Sequence, residues 1–264
     1  MKLKIYKVDA FTDKLFGGNP AAVVPLNEWL PDTTLQKIAA ENNLAETAFF
    51  LPSLQGGQRH NHLRWFTPEN EVDLCGHATL ASAFVLFNIE KYSGNKISFD
   101  SKSGILTVTK NGDLFTLDFP AYKIAPVEAT NDVLDAIGKI PAEVLKMNND
   151  LLLVYHDQLT LQMLKPDFGK LKRCAARAVL VTAPSDETDF VYRFFAPKMG
   201  IDEDPATGSA QCSLIPYWSA RLNKPALNSI QLSQRKGFFN GELKGDRVEI
   251  SGKAVLYMKG EIEA

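Results

Sequence analysis

The sequence predicts a mixed α+β protein built from two related halves. Three observations carry that expectation. First, a strand-like run, a polar loop, a glycine turn and a helical stretch occur in the same order twice. The first copy runs from Arg64-Trp65-Phe66-Thr67-Pro68 to Gly76-His77-Ala78, and the second from Arg193-Phe194-Phe195-Ala196-Pro197 to Gly208-Ser209-Ala210. Second, the other apolar runs are mostly short and separated by Gly, Pro and Asn turn signals. Third, the remaining helix candidates are few and short. The halves are expected at 1–120 and 121–264, with the boundary near Pro120 to Pro126 and a site in the cleft between them.

Each element follows from local chemistry. Lys4 to Thr12 and Ala21 to Leu26 read as strands. Pro31 to Glu41 is expected to be helical, with Asp32 or Thr33 able to cap it. Leu63 to Phe66 and Phe190 to Phe195 are apolar strands that end before a proline, which cannot continue a central ladder. The helices that follow are expected over Ala78 to Phe87 and Ala210 to Leu222, and Leu80, Phe84 and Phe87 share a buried face. Ile97 to Pro120 holds strand runs around an Asn111-Gly112 hairpin signal. Asn131 to Gly138 and Pro166 to Arg173 are short helix candidates, and Ala178 to Pro184 and Asp246 to Ala264 are strand-rich. Asp73 and Asp202 stand at the same distance from their arginines, so the extra residues of the second copy are expected between aspartate and glycine.

Composition narrows the function classes. The chain has 264 residues, is 45% hydrophobic and 23% charged, and carries a formal charge of -2. That is ordinary for a soluble globular protein and offers no basic field for nucleic acid. No apolar run is long enough for a bilayer, and the N-terminal residues lack a secretory apolar region. The three cysteines, Cys75, Cys174 and Cys212, are odd in number and widely spaced, which argues against disulfides and against a zinc site. A reduced, cytoplasmic compartment is the expectation.

A helix that opens at a glycine turn presents free N–H groups and a positive dipole end, which suit a carboxylate. Gly76-His77-Ala78 and Gly208-Ser209-Ala210 are two such starts. His77 is a general acid, a substrate donor or only a helix-start residue. Of the three acids Asp202, Glu203 and Asp204, the last is the candidate, because Pro205 restricts its backbone and Ser209 follows closely. Glu46 is the one charged residue between Asn42 and Leu51, either on a solvated face or partly buried. Burial would raise its pKa toward that of a general base. His60 and His62 form an HxH pair with no third ligand spaced nearby, in a loop-like segment, so no metal is expected there. The stretch Phe16 to Val24 is a turn signal around Gly17, Gly18, Asn19 and Pro20, without the spacing of a nucleotide loop. No cofactor is expected.

At four stretches, "FGGNPAAVV", "NNLAETAFF", "FTPENEVDLCGHATLA" and "FAPKMGIDEDPATGSA", the chain resembles the PhzF-like family, named for an isomerase of phenazine biosynthesis. They fall in the family's order from Phe16 to Ala210. The resemblance implies a diaminopimelate-epimerase-like fold, each half a curved, mostly antiparallel sheet around a central helix. It implies a cofactor-independent isomerase moving a proton between carbons of a small carboxylate-bearing substrate. It places the catalytic roles on Glu46, His77 and Asp204 and the family's serine on Ser209; with the glycine turns and the Asn19 turn, which could line a carboxylate site, the expected substrate-binding residues are Asn19, Gly76, Gly208 and Ser209. A homodimer is also in keeping with the family. Gln211 stands where family members often have histidine, and "LSQRKGFFNGEL" matches the family only loosely. The alternatives are a two-base racemase or epimerase of an amino or hydroxy acid, and a non-catalytic small-molecule binding protein. The racemase alternative is weakened by Thr207, which stands where a second cysteine would be needed opposite Cys75.

Overall fold

A computed structural model describes the backbone of every residue except Gly56 and Gly57, and the side chains of all but residues 53–60. The chain divides into two compact units, Met1–Asp118 with Ser251–Ala264, and Phe119–Ile250.

The first unit contains β1 (Lys2–Ala10), β2 (Asn19–Pro25), α1 (Asp32–Asn42), β3 (Glu46–Gln55), β4 (Gln58–Phe66), β5 (Glu71–Val72), α2 (Gly76–Phe84), β6 (Lys96–Ser101), β7 (Gly104–Asn111) and β8 (Leu114–Pro120). α1 lays Leu35, Ile38 and Ala39 on Ala22, Val24, Phe49 and Phe66. α2 packs against β1, β2 and β3. Every residue from His77 to Ala83 is buried, so this helix is enclosed all round. Its alanines and serine are small enough to permit that. A π-helical turn, Val85–Ile89, continues it.

The second unit contains β9 (Ala125–Pro126), α3 (Asn131–Ile137), β10 (Glu143–Met147), β11 (Asp150–Val154), α4 (Gln158–Met163), α5 (Phe168–Leu171), β12 (Val179–Pro184), β13 (Phe190–Ala196), β14 (Ile201–Glu203), α6 (Gln211–Leu222), β15 (Ala226–Gln231), β16 (Gly237–Lys244) and most of β17 (Arg247–Gly252). Val133, Ile137, Leu153, Leu161, Val181, Val191 and Phe195 form its core. α6 is the enclosed helix here. Its Trp218 stacks on Phe190 of β13, with ring centroids 5.6 Å apart, and donates to the Thr182 hydroxyl at 3.0 Å.

The same strand pattern occurs in both units. β2 and β3 are parallel, β3 and β4 antiparallel, β4 and β6 parallel, and β6 and β7 antiparallel. β11 and β12 are parallel, β12 and β13 antiparallel, β13 and β15 parallel, and β15 and β16 antiparallel. In each series the enclosed helix is the crossover into the parallel pair. The duplication seen in the sequence is therefore a duplication of topology.

Several expectations need correction. The last strand, β18 (Ala254–Glu263), does not join a C-terminal half but ladders onto β1, from Lys2↔Glu263 to Ala10↔Ala254. It covers an edge that β1 would otherwise leave open. α1 begins at Asp32 with Pro31 as its N-cap, and neither Asp32 nor Thr33 caps it. Proline fixes the entry φ and needs no side-chain bond there. The loop-like segment before Leu63 is strand β4, because β3 supplies a ladder partner. In the hairpin, Asn111 still pairs with Leu114, so the turn residues are Gly112 and Asp113. Gly112 has φ +60, which suits a glycine at the first turn position. α4 was not foreseen, and Asp157 caps it by accepting from the Thr160 N–H at 2.7 Å. Among the described residues, no helix is long and apolar enough to cross a membrane.

Candidate active site

Glu46 is the first residue of β3, paired with Ala21 of β2. The chain reaches it from the C-terminus of α1, where Asn43 adopts φ +48 and its N–H bonds the Ala39 carbonyl. Asn42 then donates to the Thr47 hydroxyl at 3.1 Å, which fixes the turn into the strand. His77 is the second residue of α2. Cys75, extended at φ -144, ends the loop before it, and its carbonyl accepts from both the N–H and the hydroxyl of Thr79.

These elements bring three functional groups together. His77 Nε2 lies 3.2 Å from Glu46 Oε2, and the two side chains are 8% and 16% exposed. His77 is the ion-pair partner of Oε2, which is otherwise buried without a hydrogen-bond donor. Cys75 Sγ lies 3.5 Å from His77 Nδ1 and 4.0 Å from Nε2. Burial pushes the Cys75 thiol up to about 11, with the Glu46 charge adding to the rise and His77 opposing it. Burial by itself would lower the His77 ring, but Cys75 and Glu46 override it and hold the ring well above its ordinary value. Since that thiol keeps its proton at neutral pH, the Glu46 carboxylate is the charge that stabilises a histidinium here. Glu46, Cys75 and His77 also present three metal-ligand atoms within 4.8 Å of one another.

The repeated arginines explain the repeated motif. Arg64 donates to both Glu71 carboxylate oxygens, at 2.7 and 2.9 Å, and lies 5.1 Å over the Phe66 ring. Arg193 donates to both Glu203 oxygens, at 2.8 and 2.9 Å, and lies 4.8 Å over the Phe195 ring. Each fork fastens a short strand to the long strand before the glycine turn. Glu71 thus corresponds to Glu203, and the expected match of Asp73 with Asp202 is displaced. The extra residues lie before the acid, after the matched Pro197, where a 3₁₀ turn runs over Pro197–Met199 and ends at Gly200.

In the second unit the three acids separate by role. Asp202 is exposed, Glu203 holds Arg193, and the Asp204 carboxylate accepts from the Thr207 hydroxyl. Gln231, at the end of β15 and fully buried, clamps this turn. Its side-chain carbonyl accepts from the Thr207 N–H at 2.6 Å, and its amide donates to the Asp204 carbonyl at 2.5 Å. The Tyr192 hydroxyl donates to the Thr207 carbonyl at 3.1 Å. Gly208 is buried and Ser209 exposed, on the 3₁₀ turn that leads into α6. Gln211 is buried and donates to the Ser229 hydroxyl at 3.1 Å.

Of the residues expected from sequence, Glu46, Gly76 and His77 stand together in the first unit. Asn19, fully buried, opens β2 two residues before the ladder partner of Glu46. Asp204, Gly208 and Ser209 stand together in the second. His62 pairs with Asp100 at 3.2 Å, and the side chain of its HxH partner His60 lies outside the described residues. Gln231 was missed, since a glutamine at the end of a strand carries no local signal. The arginine forks were half visible, as repeated arginines without their acids.

Comparison with known proteins gives the family and the fold. The family model for "Phenazine biosynthesis-like protein" matches residues 8–260. An uncharacterized isomerase of Pseudomonas aeruginosa is 49% identical over 262 residues, covering 99% of each chain. A second uncharacterized isomerase, of Halalkalibacterium halodurans, is 42% identical with 99% of each chain covered. The crystal structure of a PhzF-family protein of Enterococcus faecalis superimposes with a TM-score of 0.95 at 46% identity, covering all of both chains. The fold is shared more widely. A hydroxyproline epimerase of Agrobacterium vitis reaches a TM-score of 0.64 at 12% identity, with 99% of this chain and 92% of that one covered. The fold is thus the epimerase-like one expected, and with full-length relatives named isomerases the chain is an enzyme of the isomerase class. The chain belongs to the phenazine biosynthesis-like, or PhzF-like, protein family.

Proposed function

We propose that this enzyme is a cofactor-independent isomerase that moves a proton between two carbons of a small carboxylate-bearing compound, with Glu46 as the acid–base group. The observation that carries the reading is the Glu46 Oε2 atom, buried without a hydrogen-bond donor beside His77. A carboxylate oxygen that lacks hydrogen-bond donors keeps a lone pair free for a substrate proton, and the neighbouring His77 holds it in place. In the proposed reaction the C–H bond breaks and its proton passes to Oε2. The electron pair moves into the adjoining unsaturated system, and the same carboxyl returns the proton to a second carbon. The histidinium of His77 offers positive charge to the polar group on which negative charge builds. Asp204 is proposed to hold polar groups of the substrate, and Asn19, Gly76, Gly208 and Ser209 to bind its carboxylate and neighbouring atoms.

The two-base racemase reading fares worse on two observations. Its first base would be Cys75, whose thiol is pushed up to about 11 by burial and so is protonated at neutral pH. Its second would be Thr207, whose hydroxyl is spent on the Asp204 carboxylate. The test is proton NMR in D2O across a panel of small amino, hydroxy and unsaturated carboxylic acids. Deuterium wash-in at carbon, with chelator present and no cofactor added, is expected for at least one class. Exchange that requires an added cofactor would contradict the reading.

A further inference from the structure

We propose that Glu46, Cys75 and His77 form a three-ligand site for a single Zn²⁺ ion. The donor set is a carboxylate oxygen, a sulfur and an imidazole nitrogen, all within 4.8 Å of one another. Zinc bonds of about 2.0–2.3 Å in a tetrahedron place donors about 3.3–3.8 Å apart. With Nε2 as the one nitrogen donor, Oε2 lies 3.2 Å and Sγ 4.0 Å from it, so a small shift of Sγ brings the set to that span. A separate observation points to a ligand in the same place. Oε2 is a buried oxygen with no hydrogen-bond donor, the feature that a cation would satisfy.

The chemistry selects the ion. A sulfur donor disfavours magnesium and calcium, which take oxygen shells, and mixed sulfur, nitrogen and oxygen ligation suits zinc. Cys75 and His77 are buried, while the Glu46 side chain keeps 16% of its surface exposed. The protein therefore supplies three ligands, and binding releases the Cys75 thiol proton and the His77 ring proton to solvent, so affinity rises with pH. Such an ion would occupy the oxygen that the proposed reaction needs, so zinc should act as an inhibitor. That consequence rests on the isomerase reading, whereas binding itself does not.

The experiment uses the full chain, stripped of metal by chelator and titrated with Co²⁺, then with Zn²⁺. One Co²⁺ per chain should bind and give a thiolate-to-cobalt charge-transfer band that Zn²⁺ abolishes. Cys75→Ser should lose the band and Cys174→Ser should keep it. If Cys75→Ser does not fold, Glu46→Gln provides the second arm, and it should weaken Co²⁺ binding at least about tenfold while keeping the fold by circular dichroism. A missing band in the parent protein, a band that survives Cys75→Ser, or unchanged Co²⁺ affinity in Glu46→Gln would each overturn the proposal. None of these outcomes depends on turnover, so the isomerase reading stands or falls separately.

Discussion

Glu46 Oε2 and His77 Nε2 lie 3.2 Å apart, joining the first residue of β3 to the first turn of α2, yet the carboxylate oxygen receives no hydrogen bond. A structural ion pair would normally be completed by further donors, because an incompletely bonded buried carboxylate is costly. The arginine forks of the same protein show such completion. Arg64 and Arg193 each engage both oxygens of their glutamates. The contrast between saturated Glu71 and unsaturated Glu46 is the reason Glu46 is proposed as the reactive group.

Glu71→Gln should weaken the fold by roughly 1.5–3 kcal/mol at neutral pH, the range for hydrogen bonds to charged groups. The Arg64 hydrogen bond holds the Glu71 carboxyl down at about 2, against its burial and with help from Lys102. A depressed carboxylate pKa contributes stability that is present above the unfolded value and lost as pH falls through the folded one. The gap between parent and variant should therefore be full above pH 4.5 and close as pH falls toward about 2. Urea unfolding at a series of pH values measures it, and a gap independent of pH would contradict the assignment.

Gln231→Leu should destabilise the protein by about 1–3 kcal/mol, because the Thr207 N–H and the Asp204 carbonyl lose a buried partner. It should also impair exchange through the Asp204 turn. Thermal unfolding and a wash-in assay on the same preparation give both numbers, and a variant as stable as its parent would show that the turn holds without the clamp.

Gly18→Ala should cost about 2–4 kcal/mol. Gly18 has φ +56, and an added Cβ would be driven into the Ala10 carbonyl oxygen, where backbone cannot yield. Asn19, the next residue, would be displaced with it. A denaturant midpoint close to that of the parent would mean that the loop relaxes freely.

The two-unit plan was legible in the sequence because the repeat of arginine, proline and glycine turn records an architecture, and the strands repeat it. What escaped was whatever depends on a partner distant in sequence. The last strand reads as part of the second half until β1 claims it, and no local pattern near Ala254 says so. The equivalence of Glu71 with Glu203 was hidden because Asp73 and Asp202 preserve the spacing by coincidence, while the arginines choose the glutamates. Glu46 itself was ambiguous. An isolated acid in an apolar run fits a solvated face as well as a desolvated site, and its contact with His77 depends on how β3 meets α2.

Cys75→Ala should retain proton exchange within roughly one order of magnitude of the parent, far from the 10²–10⁴-fold that a general base contributes. The thiol is held protonated at neutral pH by its burial, so the proposed mechanism gives it no proton to remove. Abolished exchange in this variant, with the fold intact by circular dichroism, would move the chemistry to the thiol.

The most direct measurement is deuterium wash-in at substrate carbon for Glu46→Gln beside the parent, in D2O and with chelator present. Glutamine keeps the shape and volume of the side chain but cannot take the proton. The parent should exchange, and Glu46→Gln should fall by about 10²–10⁴-fold with its unfolding midpoint little changed. Wash-in by Glu46→Gln at a rate near that of the parent would show that another group removes the proton.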